Sequence, residues 1–165
     1  MSSINLENLT MPESTRCAYL FRYLYELESV KLPKNATIIH SLIFDECSKL
    51  KNVDIPDTVT TIGFCAFQDC GIESITLPSS LTTIGEEAFG KCTNLESITI
   101  PDSVTIIDEG AFKGCTKLKN ITLSSSLTTI SKEAFCNCTD LESITIPDSV
   151  TIIDEGAFKG CTKLK

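Results

Sequence analysis

Nine cysteines and a single histidine are the residues whose chemistry has to be weighed first. Six of the cysteines recur at a near-constant interval: Cys47, Cys70, Cys92, Cys115, Cys138 and Cys161. A zinc site asks for four nitrogen or sulfur ligands, usually from two closely spaced pairs. Here the tightest pair is Cys136-Asn137-Cys138, and the only histidine, His40, lies about four repeats upstream, so no metal site is expected. One histidine also removes most Ser-His and Cys-His arrangements. The acids Asp108 and Glu109 return as Asp154 and Glu155. An active site needs one unique convergence of groups, and residues repeated in this way do not supply it. There is no G-x-x-x-x-G-K-[ST] or G-x-G-x-x-G loop to cradle a phosphate. Neither catalysis nor a cofactor is expected.

The cysteine column reads better as structure. A buried free cysteine behaves as a small apolar residue. Side chains stacked in one column point the same way, which disfavours disulfides between them. Cys65 and Cys136 fall outside the column, so they are expected to be more exposed and easier to oxidise.

Composition narrows the class of partner. The 165 residues are 42% hydrophobic and 22% charged, with a formal net charge of −8. Phosphate backbones are bound by clustered Lys and Arg, so a nucleic acid is not expected. No run of about 20 apolar residues exists to span a bilayer. The N-terminus, Met-Ser-Ser-Ile-Asn-Leu-Glu-Asn-Leu-Thr, has no basic segment followed by an apolar core, so no secretory leader is expected. Reduced thiols follow if the compartment is a reducing one.

What positions all these residues is a repeat. Residues 95–119 (LESITIPDSVTIIDEGAFKGCTKLK) return unchanged as residues 141–165, 46 positions later, with a diverged copy between them. The unit is therefore 23 residues, written L-x-x-I-x-[IL]-P-x-S-[VL]-T-x-I-x-x-x-A-F-x-x-C-x-x. Its columns include Pro33, Pro56, Pro78, Pro101, Ser124 and Pro147, then Phe44, Phe67, Phe89, Phe112, Phe135 and Phe158. One step is irregular: Cys70-Gly71-Ile72 has lost a residue.

Each stretch of the unit carries its own structural instruction. In the first part, Ile98 and Ile100 alternate with Ser97 and Thr99. A strand sends alternate side chains to opposite faces, so the isoleucines point to a core and the hydroxyls outward. Proline ends the strand because it has no N–H for a ladder. Val104 and Ile107 then cover a second wall. Asp108-Glu109-Gly110 leads into Ala111-Phe112, where one short helical or 3-10 turn is expected, its acids suited to a helix N-terminus. No turn can bury its own apolar face, so neighbours must stack. Six strands about 4.8 Å apart give a rod on the order of 30 Å.

At these columns, I-P-x-S-V-T-x-I followed by A-F-x-x-C, the chain resembles the BspA-like family of leucine-rich repeats, also called the Treponema pallidum type. The likeness covers about residues 27–165. It implies a leucine-rich-repeat solenoid with a parallel sheet on one side. Relatives are described as surface or secreted proteins linked to adhesion, so it also implies a role in binding protein ligands at a cell surface. The lack of a leader and an anchor points instead to the cytoplasm. An intracellular scaffold, or a piece of a longer repeat protein, is the alternative.

Residues 1–26 differ from the repeat. Leu20, Phe21 and Leu24 stand where Ala, Phe and Cys would stand in a unit, which reads as a degenerate first turn capping the core. The outward strand positions form hydroxyl-rich ladders, the concave face on which such solenoids bind. The residues expected to bind are Glu73, Ser74, Thr76, Glu96, Ser97, Thr99, Lys119, Asn120, Thr122, Glu142, Ser143 and Thr145. The last turn has no successor in the sequence, so either a longer array or two chains meeting through their C-terminal turns is expected.

Overall fold

A computed structural model describes residues 2–8 and 18–165. Arg16 and Cys17, which open the aromatic N-terminal stretch, lie outside the described residues. The chain winds as a succession of short walls, each repeat making one turn. The strands are β1 (Ser3–Asn5), β2 (Ser29–Lys31), β3 (Ile38–Ile39), β4 (Asn52–Asp54), β5 (Thr61–Ile62), β6 (Thr83–Ile84), β7 (Ser97–Thr99), β8 (Ile106–Ile107), β9 (Asn120–Thr122), β10 (Thr129–Ile130) and β11 (Ile152–Ile153). All pairings are parallel and join equivalent positions of successive turns, such as Val30 with Val53 and Ile98 with Ile121. One wall holds β1-β2-β4 and β7-β9; a second holds β3-β5-β6-β8 and β10-β11.

The alternation read from the sequence sets the core. Ile98 and Ile100 are buried while Ser97 and Thr99 are exposed. Val104 and Ile107 close the second wall at 0% and 1% exposure. Phe44, Phe67, Phe89, Phe112 and Phe135 are fully buried and stack ring on ring. Centroid separations of 5.4–5.6 Å fall in the range that favours offset stacking over a face-to-face sandwich.

The third wall corrects one expectation: no helix or 3-10 turn forms there among the described residues. Two residues per turn take a positive φ, for example Cys65 at 49° and Asp69 at 54°, and this left-handed step every fourth residue stops a helix from propagating. Hydrogen bonds alternate instead. The N–H groups of Cys65, Phe67 and Asp69 donate to Glu86, Ala88 and Gly90 of the next turn at 2.8–2.9 Å. Those of Ala66, Gln68 and Cys70 donate back three residues at 3.3 Å. The wall is thus a stack of tight turns laced together. In residues 95–119 and 141–165 glycines fill both left-handed positions, Gly110 and Gly114, then Gly156 and Gly160, where a side chain would be strained.

The cysteine column completes this lacing. Each column thiol donates to the carbonyl of the Phe one turn earlier: Cys70 to Phe44, Cys92 to Phe67 and Cys115 to Phe89, all at 3.1 Å. Ser80, Ser103 and Ser149 do the same at the corner after the proline, donating to Val59, Leu81 and Leu127 at 2.6–2.7 Å. At Ser124, which stands in the proline column, the fully buried hydroxyl donates to Val104 at 2.6 Å.

Candidate binding surface

The groups with reactive chemistry are turned inward. Burial pushes the Cys47 thiol up to about 11 and the Cys92 thiol to about 12, leaving both un-ionised and inert at neutral pH. Cys65 and Cys136, expected to be more exposed, are buried at 3% and 4%. In their columns these short side chains stand between longer ones on adjacent turns, Leu42 and Glu87 around Cys65 and Lys113 and Lys159 around Cys136. Burial likewise drives the Cys65 thiol up to about 12. The eight described cysteines are free thiols. His40 is half-buried in its turn. Among the described residues, no group of three or more His, Cys, Asp or Glu side chains could hold a metal ion.

The outward strand face has a different character. Glu73, Ser74, Thr76, Glu96, Ser97, Thr99, Lys119, Asn120, Thr122, Glu142, Ser143 and Thr145 are all exposed. Strand register brings Ser97 beside Asn120 and Thr99 beside Thr122. Charges on the face pair between turns: Lys51 Nζ with Glu73 at 2.7 Å, and Lys119 Nζ with Glu96 at 3.7 Å. The hydrogen bond from Lys51 holds the Glu73 carboxyl below its ordinary range.

The face is not uniform along the stack. The ladder lapses at Ser74–Thr76, between β4 and β7, where the unit lost its residue, and again at Ser143–Thr145, beyond β9. No backbone N–H from Gly71 to Leu77 donates to another group among the described residues. Gly71 is needed at the shortcut, because a Cβ there would strike the Ser48 carbonyl. Beside the lapse a groove of about 820 Å³ runs from β1 across β2 and β4 to residues 74–79. A smaller depression of about 460 Å³ continues from Ser74 and Thr76 to Ser97 and Thr99. Lys31 stands in the groove, its Nζ 3.1 Å from Glu7 and 3.5 Å from Asp54. Hydrogen bonds from Lys34 and Lys31 hold the Glu7 carboxyl down.

So the structure gathers Ser74, Thr76, Ser97 and Thr99 around one irregular place and leaves Lys119, Asn120, Thr122, Glu142, Ser143 and Thr145 on the face beyond it. It adds Ser3, Asn5 and Asp57, which sequence reasoning passed over. A signal for β1 was present: Ser3-Ile4-Asn5-Leu6 has the strand pattern of Ser29-Val30-Lys31-Leu32, but at a spacing of 26 residues, off the repeat period.

At the N-terminal end Phe21 stacks on Phe44 at 5.6 Å, and the Cys47 thiol donates to the Phe21 carbonyl at 3.1 Å. Arg22 Nε donates to the buried Asp45 carboxylate at 2.6 Å, with its guanidinium 4.4 Å from the Tyr23 ring. Tyr19, Tyr23 and Tyr25 remain about half exposed.

The sequence profile described as BspA type leucine rich repeat region matches residues 14–138 and 87–165, in six copies. A leucine-rich repeat protein from Bacteroides ovatus, solved as a crystal structure, is 32% identical with a TM-score of 0.90, over 99% of this chain and 44% of its own. A leucine-rich repeat protein of T. pallidum is 28% identical with a TM-score of 0.86, over 99% of this chain and 71% of its own. A third, from Eubacterium ventriosum, is 29% identical with a TM-score of 0.59, over 84% of this chain and 45% of its own. The chain spans less than half the length of the Bacteroides protein. No curated protein matches it.

Proposed function

Because the chain belongs to the BspA-type leucine-rich repeat family, we propose that it is a non-enzymatic binding module of the surface-antigen kind, which holds a protein ligand against its strand face. The observation that carries this reading is the groove beside Ser74–Thr76. A repeated surface offers the same weak contacts at every turn, and specificity needs a place unlike the others. The shortened turn and the groove beside it supply one: hydroxyls, a lysine between two carboxylates, and strand backbone left without ladder partners. The extended face on either side adds contacts that strengthen by repetition. Residues 1–26 act as a cap in this reading, since β1 and Phe21 cover the first full turn.

The test is site-directed photo-crosslinking in extracts and on intact cells of the source organism and its surroundings. A crosslinker at Thr76 or Thr99 should give a discrete protein adduct, and one at Thr105, on the second wall, should not. Reversing the charge at Lys31 should weaken the adduct. Equal adducts from both walls, or none from the strand face, would overturn the reading. A second reading, an intracellular scaffold, is favoured by the free buried thiols. Biotinylation of intact cells separates the two, because only a surface protein is labelled without lysis.

A further inference from the structure

The outward columns of the second wall carry no charge. One is Ile38, Thr61, Thr83, Ile106, Thr129 and Ile152, and the column one residue earlier is threonine in all six turns, from Thr37 to Thr151. On the strand face, by contrast, the column that runs from Glu28 to Glu142 is charged in every turn. The hydroxyls of Thr60, Thr82 and Thr151 are already committed, donating to the carbonyls of Thr37, Thr60 and Thr128 at 3.2, 3.0 and 3.4 Å. Ile38, Ile106 and Ile152 stay 40%, 50% and 52% exposed. Ile106, in the middle of the stack, is as open as Ile152, so the exposure belongs to the wall and not to a place along it.

We propose that this wall is where a second copy of the chain docks, face to face and with the stack reversed. Two chains of net charge −8 repel at most contacts, and an uncharged strip lets them approach. The charges at the edges of the wall then choose the arrangement. The edge after the prolines carries Lys34, Asp57, Ser79, Asp102, Ser125 and Asp148, all exposed. With strands aligned and the stack reversed, Lys34 meets Asp148, Asp57 meets Ser125 and Ser79 meets Asp102, so no two acids oppose. At the other edge His40 meets Asp154 and Gly85 meets Asp108. One residue further round, Glu86 comes opposite Glu109, whose charge Lys132 Nζ offsets at 2.8 Å. Shifting the pair by one turn sets Asp57 against Asp102 or Asp148. Reversing the strands instead of the stack sets Asp102 against Asp108 and Asp148 against Asp154. Like charges directly opposed are destabilising, which leaves the first arrangement. From six strands about 4.8 Å apart and five residues of about 3.3 Å, the strip measures about 29 Å by about 17 Å, roughly 500 Å² per partner. About 1,000 Å² in all is the low end for a specific interface, so the dimer is weak. It leaves the strand face open and does not rest on the ligand reading. At the dilution of an extract it is dissociated and gives no adduct at Thr105.

The test is analytical ultracentrifugation of the 165-residue chain from about 10 μM to about 1 mM. A monomer–dimer equilibrium is expected, with dimer prevailing only above about 100 μM. Ile106→Asp should leave monomer throughout, and Thr99→Asp, on the strand face, should change nothing. Asp148→Lys brings two lysines together at both ends of the pair and should weaken the dimer about tenfold, and adding Lys34→Glu should restore it. Ile106, Thr99, Asp148 and Lys34 are all exposed, and circular dichroism checks that each variant keeps the fold. Register is read with a short bismaleimide. Thr61→Cys combined with Thr129→Cys should give a crosslinked dimer. Thr61→Cys alone should not, because the two copies of that position lie about three strand spacings, about 14 Å, apart. A chain that stays monomeric at about 1 mM would overturn the proposal. So would a dimer that survives Ile106→Asp, one lost in Thr99→Asp, a charge swap that restores nothing, or a crosslink from Thr61→Cys alone.

Discussion

The inner and outer copies of the 25-residue segment, Leu95–Lys119 and Leu141–Lys165, differ in nothing but their neighbours. In the inner copy Ser97–Thr99 is a strand, Phe112 and Cys115 are fully buried and Val104 is at 0% exposure. In the outer copy Ser143–Thr145 is not in a ladder, and Val150, Phe158, Cys161 and Leu164 are only half-buried. A unit of this repeat therefore encodes a shape but not its own core. Burial is conferred by the turn that follows, the one-dimensional logic of a solenoid. Some interactions survive in both contexts because they reach backward: the Cys115 thiol bonds Phe89, and the Cys161 thiol bonds Phe135, each at 3.1 Å. What the outer copy loses are the forward contacts.

The largest effect should come from the phenylalanines. Phe112→Ala should cost about 3–5 kcal/mol, the range for emptying a core phenylalanine site. In a chain of these 165 residues Phe158→Ala should cost less than half of that, because its ring is only half-buried there. Denaturant unfolding of the two variants checks this. A loss under about 1 kcal/mol at Phe112 would place its ring outside the core, and equal losses would break the comparison between the copies.

The thiols sharpen it further. Burial raises the thiol of Cys115 well above its ordinary value of 9.0, and raises that of Cys161, which is only half-buried. Alkylation of the folded 165-residue chain at about pH 8.5 should modify Cys161 at least tenfold faster than Cys115, read by mass spectrometry. The pH dependence of stability follows with a definite sign. A thiol whose folded pKa lies above its unfolded one favours the folded state fully below the unfolded value, and that favour is lost as pH rises through the folded one. For Cys92 the window runs from 9.0 to about 12. The urea midpoint should fall across it, and Cys92→Ala should flatten the fall. An unchanged slope would remove the thiols from the alkaline transition.

The smallest effect is expected where the copies agree. Thr99 and Thr145 both face outward. Thr99→Lys and Thr145→Lys should each change stability by no more than about 0.5 kcal/mol, as surface substitutions do. A large loss at Thr99 alone, in thermal or urea melts, would mean that the strand face is packed in the inner copy.

The repeat, its period, the inward columns of Ile, Phe and Cys, and the outward ladder of Ser and Thr were all determined by the sequence itself. Each rests on a local rule of side-chain alternation repeated six times, and repetition removes the ambiguity that one short apolar run would leave. The helical turn expected at Ala111-Phe112 failed because an apolar pair preceded by acids suits a helix and a tight turn alike. What chose between them was the next turn's carbonyls, which draw every second N–H out of helical register. The partners of the Cys and Ser ladders lie about a full repeat away, as with Cys138 and Phe112, so no local pattern names them. Cys65 and Cys136 looked exposed because they break the column, yet both are buried in the stacked structure. The missing residue at Gly71 was plain in the sequence, but its consequence was not. Only the stacked structure, in which one shortened turn must bridge two neighbours of full length, places a groove beside that deletion.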